Sequence, residues 1–205
     1  MPTQATVYQN TLRLLGEPSN VTVDSDKKIV REMTGAYASV VRKCFEMHPW
    51  NEFKKLEQLS QVSPAELGWD YTFNRPAAFV RVVLVSNTTD EDDLEGIEYA
   101  YRRGKFLSNH ETTYLWFISS EYEATVGSWP QSFADMVSAY LADEVYPVND
   151  EGDATRSRID AAMRDRKQAA IALDASTDPV VRQPSGNYVR GRSRGVVGRS
   201  RYRGY

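Results

Sequence analysis

Apolar residues recur at helical spacing in the first quarter of the chain. The pattern predicts a first helix over residues 3–15, which ends where Gly16 and Pro18 break the repeat. It predicts a second helix over residues 24–48, about 37 Å long at 1.5 Å per residue, which ends at Pro49. The less polar positions of the second helix follow one face over several turns, namely Ile29, Val30, Met33, Ala36, Tyr37, Val40, Val41, Cys44 and Phe45.

The middle of the chain changes to patterns that are typical of strands. The run WNEFKKLEQLSQV partly alternates between polar and apolar residues, and WDYTFNRPAAFVRVVLV gives two strand-like runs on either side of Pro76. GIEYAYRRGKFLSN indicates a hairpin that turns near Arg103 and Gly104, and TTYLWFIS is a further run rich in threonine and aromatic residues. Residues 50–120 are therefore expected to form a small, mostly antiparallel sheet.

Helical spacing returns in the last third of the chain. The run SWPQSFADMVSAYLADEV begins with Ser128 and Gln131 at the spacing of a capping box, and Pro130 lies in the first turn. A last helix is predicted over residues 153–174, and residues 177–179 end it with a Thr-Asp-Pro sequence.

The order of these elements predicts an α+β fold in which a four-helix bundle carries an inserted, small, mostly antiparallel β domain. The bundle comprises residues 1–49 and 121–178, and the β-rich insertion comprises residues 50–120. Residues 179–205 are expected to form a flexible basic C-terminal arm that is disordered when free. Glycine, serine and arginine bury too little apolar area there to offset the chain entropy.

Charge is divided unevenly along the chain. The 205 residues carry a formal net charge of −3, yet the ending GNYVRGRSRGVVGRSRYRGY contains six arginines, three tyrosines and no acid. Subtracting the +6 of this ending leaves −9 on residues 1–185. The body is therefore expected to repel polyanions, whereas the arm is expected to attract them or any acidic surface.

The sequence also indicates where the protein resides. The only cysteine, Cys44, cannot form an intrachain disulfide, which favours a reducing compartment. No apolar run approaches the roughly 18–20 residues that cross a bilayer, and the N-terminus lacks a signal-peptide pattern. A soluble protein made and kept inside a cell is expected.

Residue types that carry chemistry are few and scattered. His48 and His110 are distant in sequence and on different elements, so each is expected to be a surface or helix-end residue. Cys44 lies on the apolar face of the second helix and is expected to be a small buried hydrophobe. The acidic run TTDEDDLEG lacks the alternation of a calcium loop and is expected to be a solvated loop. The sequence therefore predicts no enzyme, no cofactor and no metal site.

Five local phrases, taken in order, resemble one known family. They are LRLLGEPS, VVRKCFEMHPWNEF, YTFNRPAAFVRVVLV, GKFLSNHETTYLWFIS and WPQSFADMVSAYLADEV, and they are spread along residues 5–175. Their order and spacing resemble the tail tubular protein A family of short-tailed bacteriophages, also called gateway or head-to-tail adaptor proteins.

The resemblance implies a structural virion protein that assembles in the host cytoplasm and sits in the neck of the particle. The family forms a dodecameric ring with the portal protein above it and the tail nozzle protein below it. Such a ring joins the two, completes the channel for double-stranded DNA and retains the packaged DNA. The resemblance implies no enzymatic activity, no cofactor and no membrane partner.

The arginine-rich ending lies outside the resemblance, so its role is inferred from chemistry alone. Arginine forks bind carboxylates and tyrosines anchor interfaces, so the arm is expected to dock into acidic crevices of the portal, with packaged DNA as a second target. The residues expected to dock on the portal are Tyr188, Arg190, Arg192, Arg194, Arg199, Arg201, Tyr202, Arg203 and Tyr205.

The four tryptophans have two interpretations. Aromatic residues dominate both cores and interfaces, and core packing is favoured for most of them. The weaker interpretation places Trp50, Trp69, Trp116 and Trp129 at the interface with a neighbouring subunit or with the nozzle.

An alternative function belongs to a different class. Tails rich in arginine, glycine and tyrosine also occur on proteins that bind RNA or single-stranded DNA, where arginine and aromatic rings stack on bases. The chain would then be a nucleic-acid-binding protein with a helical head. The acidic body and the lack of a recognised RNA-binding module argue against this alternative.

Overall fold

The structure is a computed structural model that describes five stretches of the chain, residues 1–19, 27–62, 68–90, 95–149 and 153–177. The predicted basic arm over residues 179–205 lies outside these stretches. Residues 91–94 of the acidic run and residues 24–26 of the predicted second helix lie outside them as well.

Four α-helices form within the described residues. The first begins after Thr3, whose hydroxyl accepts a hydrogen bond from the Thr6 N–H at 3.1 Å. It ends at Gly16, whose φ of 84° is the left-handed conformation that glycine adopts without strain. This confirms the predicted first helix. The helices are α1 Gln4–Leu15, α2 Lys28–Met47, α3 Gln131–Asn149 and α4 Asp153–Thr177.

The start of α3 differs from the predicted capping box. Pro130 supplies the carbonyl that accepts the first helical hydrogen bond, from the Ala134 N–H at 3.1 Å. Ser128 lies in a short 3₁₀ turn before the helix, and its hydroxyl donates to the Thr125 carbonyl at 2.8 Å. The predicted position of the cap was therefore wrong, because Ser128 already completes a local turn.

Seven strands form two antiparallel sheets within the described residues. The three-stranded sheet, called the inner sheet, has the order β1-β7-β4, and the four-stranded outer sheet has the order β2-β3-β6-β5. The predicted hairpin is confirmed: β5 turns into β6 through Arg103 and Gly104, which have φ values of 51° and 76°. The strands are β1 Lys54–Gln58, β2 Gln61–Val62, β3 Tyr71–Asn74, β4 Phe79–Ser86, β5 Tyr99–Arg102, β6 Lys105–Ser108 and β7 Tyr114–Ser119.

The inner sheet is covered on both faces. On β7, Ile118 belongs to the core that the helices form, whereas Leu115 and Phe117 belong to a second core under the outer sheet. On β4, two shifts of register let Val80 and Val83 pack against the helical core. Val82 and Val85 belong to the second core, under the outer sheet. The molecule therefore has three layers, in the order helices, inner sheet, outer sheet.

The predicted fold class, a four-helix bundle with a small inserted β domain, is wrong. In a bundle each helix buries one apolar stripe, whereas α3 packs against α1, α2 and α4 and is buried almost all round. The strands form two sheets rather than one, and the inner sheet shares its core with the helices instead of standing apart. The buried residues of α3 include Phe133, Ala134, Met136, Val137, Ser138, Ala139, Leu141, Ala142 and Val145.

Candidate functional site

Five aromatic side chains form a cluster where the helices meet the inner sheet. This cluster, called the aromatic joint, consists of Phe45, Trp50, Phe53, Trp129 and Phe133, each at most 3% exposed. The Phe133 ring lies at its centre, with its centroid 4.9–5.2 Å from those of the other four. Phe45 and Phe53 stack at 4.5 Å. Contacts of this geometry add to the free energy of area burial.

The chain supplies the joint from three places. Phe45 comes from the last turns of α2, and Trp50 and Phe53 come from the segment that leads into β1. Phe133 lies in the first turn of α3, and Trp129 lies just before that helix. Both buried indoles are satisfied: Trp50 Nε1 donates to the Cys44 carbonyl at 2.9 Å, and Trp129 Nε1 donates to the Tyr122 carbonyl at 2.7 Å. The joint therefore fixes the position of the inner sheet relative to α2 and α3.

The end of α4 is tied to the same region by Asp174. The Asn51 N–H donates to Asp174 Oδ1 at 2.8 Å, and Asn51 Nδ2 donates to the Asp174 carbonyl at 2.9 Å. His48 Nε2 lies 3.2 Å from Asp174 Oδ2, and the His48 ring packs edge-on against Trp50 at 4.8 Å. These contacts, called the Asp174 anchor, hold the last turn of α4 beside the start of β1.

Replacing Asp174 with alanine is expected to lower the free energy of unfolding by about 1–3 kcal/mol, because the Asn51 N–H loses its acceptor in a partly buried place. Denaturant unfolding followed by circular dichroism measures the change. Asp165→Ala is the matched control, since Asp165 is an exposed residue on the same helix. Equal losses of stability in the two variants would show that the anchor contributes nothing specific.

A small cavity lies beside the anchor. Its volume is about 50 Å³, which holds a water molecule or two but is far below the roughly 300–1,000 Å³ of a typical small-molecule site. The cavity therefore does not qualify as a substrate pocket. It is lined by Trp50, Glu52, Phe53, Pro130, Ser132, Phe133, Ala170, Leu173, Asp174 and Thr177.

Residues with catalytic or metal-binding chemistry do not converge in the described part of the chain. No group of three or more histidine, cysteine, aspartate or glutamate side chains there could hold a metal ion. His48 belongs to the Asp174 anchor, and His110 is exposed in the turn between β6 and β7. Cys44 is fully buried on α2, as predicted.

Cys44 is expected to resist alkylation until the protein unfolds. Burial raises the pKa of the thiol to about 12, although Lys43 and Lys167 oppose the shift. At pH 8 the smaller thiolate fraction alone slows the reaction roughly a thousand-fold relative to an ordinary thiol. Iodoacetamide labelling followed by mass spectrometry, with and without denaturant, measures this. Labelling of the native protein at the rate of a small thiol would contradict it.

The structure separates the four predicted interface tryptophans into two pairs. Packing in the aromatic joint explains the burial of Trp50 and Trp129, so neither side chain requires a partner protein to cover it. Trp69 and Trp116 are only partly buried. Trp116 lies between Leu56 and Leu84 across the inner sheet, and its Nε1 is buried with no hydrogen-bond partner among the described residues. The interface role stays a prediction for this second pair.

The arm residues predicted to dock on the portal, Tyr188 to Tyr205, lie outside the described residues, so their role stays a prediction. The described chain reaches Thr177, beside the Asp174 anchor and the aromatic joint. Sequence reasoning missed the anchor because Asp174 lies 126 residues from His48 and 123 from Asn51. No local pattern connects these residues.

Comparison with known proteins adds no assignment to this geometry. Among the helices of the described stretches, none combines the length and apolarity needed to cross a bilayer. No known family model matches the chain, and no curated protein matches it.

Proposed function

We propose that this chain is the subunit of a head-to-tail adaptor ring in a short-tailed bacteriophage. The ring joins the portal to the tail nozzle, completes the DNA channel and retains the packaged DNA. The ordered set of five sequence phrases is the basis of this proposal. The ring has twelve copies if it follows the family that these phrases resemble.

One structural observation supports the proposal: the phrases contact one another. VVRKCFEMHPWNEF and WPQSFADMVSAYLADEV supply all five rings of the aromatic joint. The first phrase adds Leu12, Leu14 and Leu15 to the same helical core as Phe45 and Phe133. The phrases YTFNRPAAFVRVVLV and GKFLSNHETTYLWFIS pair as β4 with β7 and as β3 with β6. The resemblance therefore involves residues that pack together.

The charge distribution suits such a ring. An acidic body with −9 on residues 1–185 presents little attraction to the phosphates of DNA, so DNA can slide past it. The arm then concentrates positive charge for a separate contact, with acidic crevices of the portal as its target. We infer that acidic side chains dominate the channel surface, and an assembled structure with a lysine-lined channel would overturn that inference.

The adaptor proposal is tested by electron microscopy of the purified full chain mixed with its cognate portal protein. Portals capped by an additional ring are expected, and portal alone serves as the control. A chain that stays monomeric in the presence of portal and leaves it uncapped would contradict the proposal.

A nucleic-acid-binding protein is the second candidate, and the six arginines and three tyrosines of residues 186–205 favour it. That function predicts that the logarithm of RNA affinity falls steeply with the logarithm of salt concentration, in proportion to the number of phosphates contacted. Fluorescence anisotropy with a labelled single-stranded RNA, over a series of salt concentrations, distinguishes this candidate from an adaptor.

A further inference from the structure

The outer sheet carries opposite charges at its two ends. At one end Asn74, Lys105 and Arg102 are in register across β3, β6 and β5, and at the other end Tyr71, Ser108 and Tyr99 are in register. The two ends are separated by roughly 10 Å, which is three residues of strand at about 3.3 Å each. Charged residues in the flanking turns divide by sign between these ends.

The basic end consists of Arg75, Arg102 and Arg103, all exposed. Arg75 follows β3 directly, and the other two form the last residue of β5 and the first residue of the hairpin turn. Among the described residues that surround this end, 59–62, 74–79 and 101–106, there is no aspartate or glutamate. Arg102 also lies directly opposite Lys105 across the strand pair.

The acidic end consists of Asp70, Glu95, Glu98 and Glu111, all exposed. Asp70 precedes β3, Glu95 and Glu98 precede β5, and Glu111 lies in the turn that follows β6. The described residues around this end, 68–73, 95–100 and 107–113, contain no lysine or arginine. Each end of the sheet therefore attracts the opposite end of an identical sheet.

Two aromatic side chains lie on the edge strand between these ends. Tyr99 and Tyr101 on β5 are 39% and 40% exposed, and both rings pack against Phe106. Arg75 Nη1 donates to the Tyr101 hydroxyl at 3.4 Å. Within the described residues β5 pairs only with β6, so its other edge faces outward. Tyrosine and arginine are the residue types enriched at protein interfaces.

We propose that the basic end of the outer sheet binds the acidic end of the outer sheet in a second copy of this chain. This contact is heterologous: each subunit uses one surface toward the neighbour on one side and a different surface toward the neighbour on the other side. Repetition of such a contact closes a ring when the rotation between neighbours is suitable. The inference rests on the proposed adaptor function and assigns one subunit interface of the ring to the outer sheet.

Two full-length charge-reversal variants test the contact. Arg102→Glu/Arg103→Glu reverses the basic end, and Glu98→Lys/Glu111→Lys reverses the acidic end. Each variant alone places like charges at every subunit contact, so ring formation on the cognate portal is expected to fall at least about tenfold. An equimolar mixture is expected to restore rings, because alternating subunits in an even-numbered ring again pair opposite charges at every contact.

Neutral variants and folding measurements make the result specific. Arg102→Gln/Arg103→Gln is expected to weaken ring formation less than the charge reversal does. Like the reversal, it keeps a residue other than glycine at position 103, where the backbone is left-handed. Far-ultraviolet circular dichroism and thermal unfolding of each variant exclude misfolding as the cause. Restoration by mixing is itself a control, because two misfolded proteins do not repair each other.

The possible outcomes separate this inference from the adaptor proposal. If the wild-type chain caps portals and both reversal variants cap them equally well, the inference is overturned and the adaptor proposal stands. If the basic-end variant alone loses assembly, mixing restores nothing and duplex DNA binding is lost with it, then DNA rather than a second copy occupies the basic end. If the wild-type chain forms no ring, both proposals fail.

Discussion

Phe133→Ala is expected to lower the free energy of unfolding by about 3–5 kcal/mol, the largest stability effect of any change considered for this chain. The Phe133 side chain is 1% exposed and touches every other ring of the aromatic joint. Its removal leaves a cavity that rigid rings cannot fill by small movements. For a chain of this length the melting temperature is expected to fall by roughly 6–20 °C.

Thermal and denaturant unfolding measure this change, and Phe133→Leu is the matched control. Leucine keeps much of the buried volume, so its cost is expected to be clearly smaller than that of alanine. Tryptophan fluorescence reports on the aromatic joint itself, because Trp50 and Trp129 both pack against Phe133. An alanine variant that melts within about 2 °C of the wild type, less than 1 kcal/mol of change, would show that the joint is not central to stability.

A chain that ends at Pro184 is expected to bind the portal on the order of 100-fold more weakly than the full chain. The truncation removes six of the seven arginines of the basic arm and leaves Arg182. At roughly 0.5 kcal/mol for each exposed charge pair, the loss of six amounts to about 3 kcal/mol. Surface plasmon resonance with immobilised portal measures the difference. The thermal stability of the truncated chain is expected to match that of the full chain, because the truncation leaves the aromatic joint and the Asp174 anchor intact.

The control for this truncation replaces the six arginines with lysines. Lysine keeps the charge but cannot form the two-pronged hydrogen bonds of a guanidinium group on a carboxylate. If forked pairing matters, the lysine variant binds more weakly than the wild type and more tightly than the truncated chain. Unchanged affinity in the truncated chain would rule out portal docking through the arm.

Sequence patterns predicted the parts of the fold that local chemistry determines. The end of α1 at Gly16 and the hairpin turn at Arg103 and Gly104 follow from backbone preferences of single residues. The burial of Cys44 follows from its place on the apolar face of α2, which the spacing of residues along the chain already defines. In each case the structure is determined by interactions between residues that are close together in the sequence.

The patterns did not predict how the elements pack. β4 is apolar on both faces, and periodicity alone cannot show that one face meets helices while the other meets a second sheet. The many small residues of α3 likewise allow neighbours on every side, so its central position depends on long-range contacts. The bundle interpretation was wrong for these two reasons. The Asp174 anchor was missed because it also depends on long-range contacts.

The Asp174 anchor determines how a pulling force on the C-terminal segment enters the molecule. Tension applied beyond Thr177 reaches Asp174 within one turn of helix and passes through Asn51 to β1, three residues away. β1 is hydrogen-bonded along its length to β7, the central strand of the inner sheet, so the force is shared by several parallel bonds. A neighbour that holds this segment would therefore pull on the inner sheet as well as on α4.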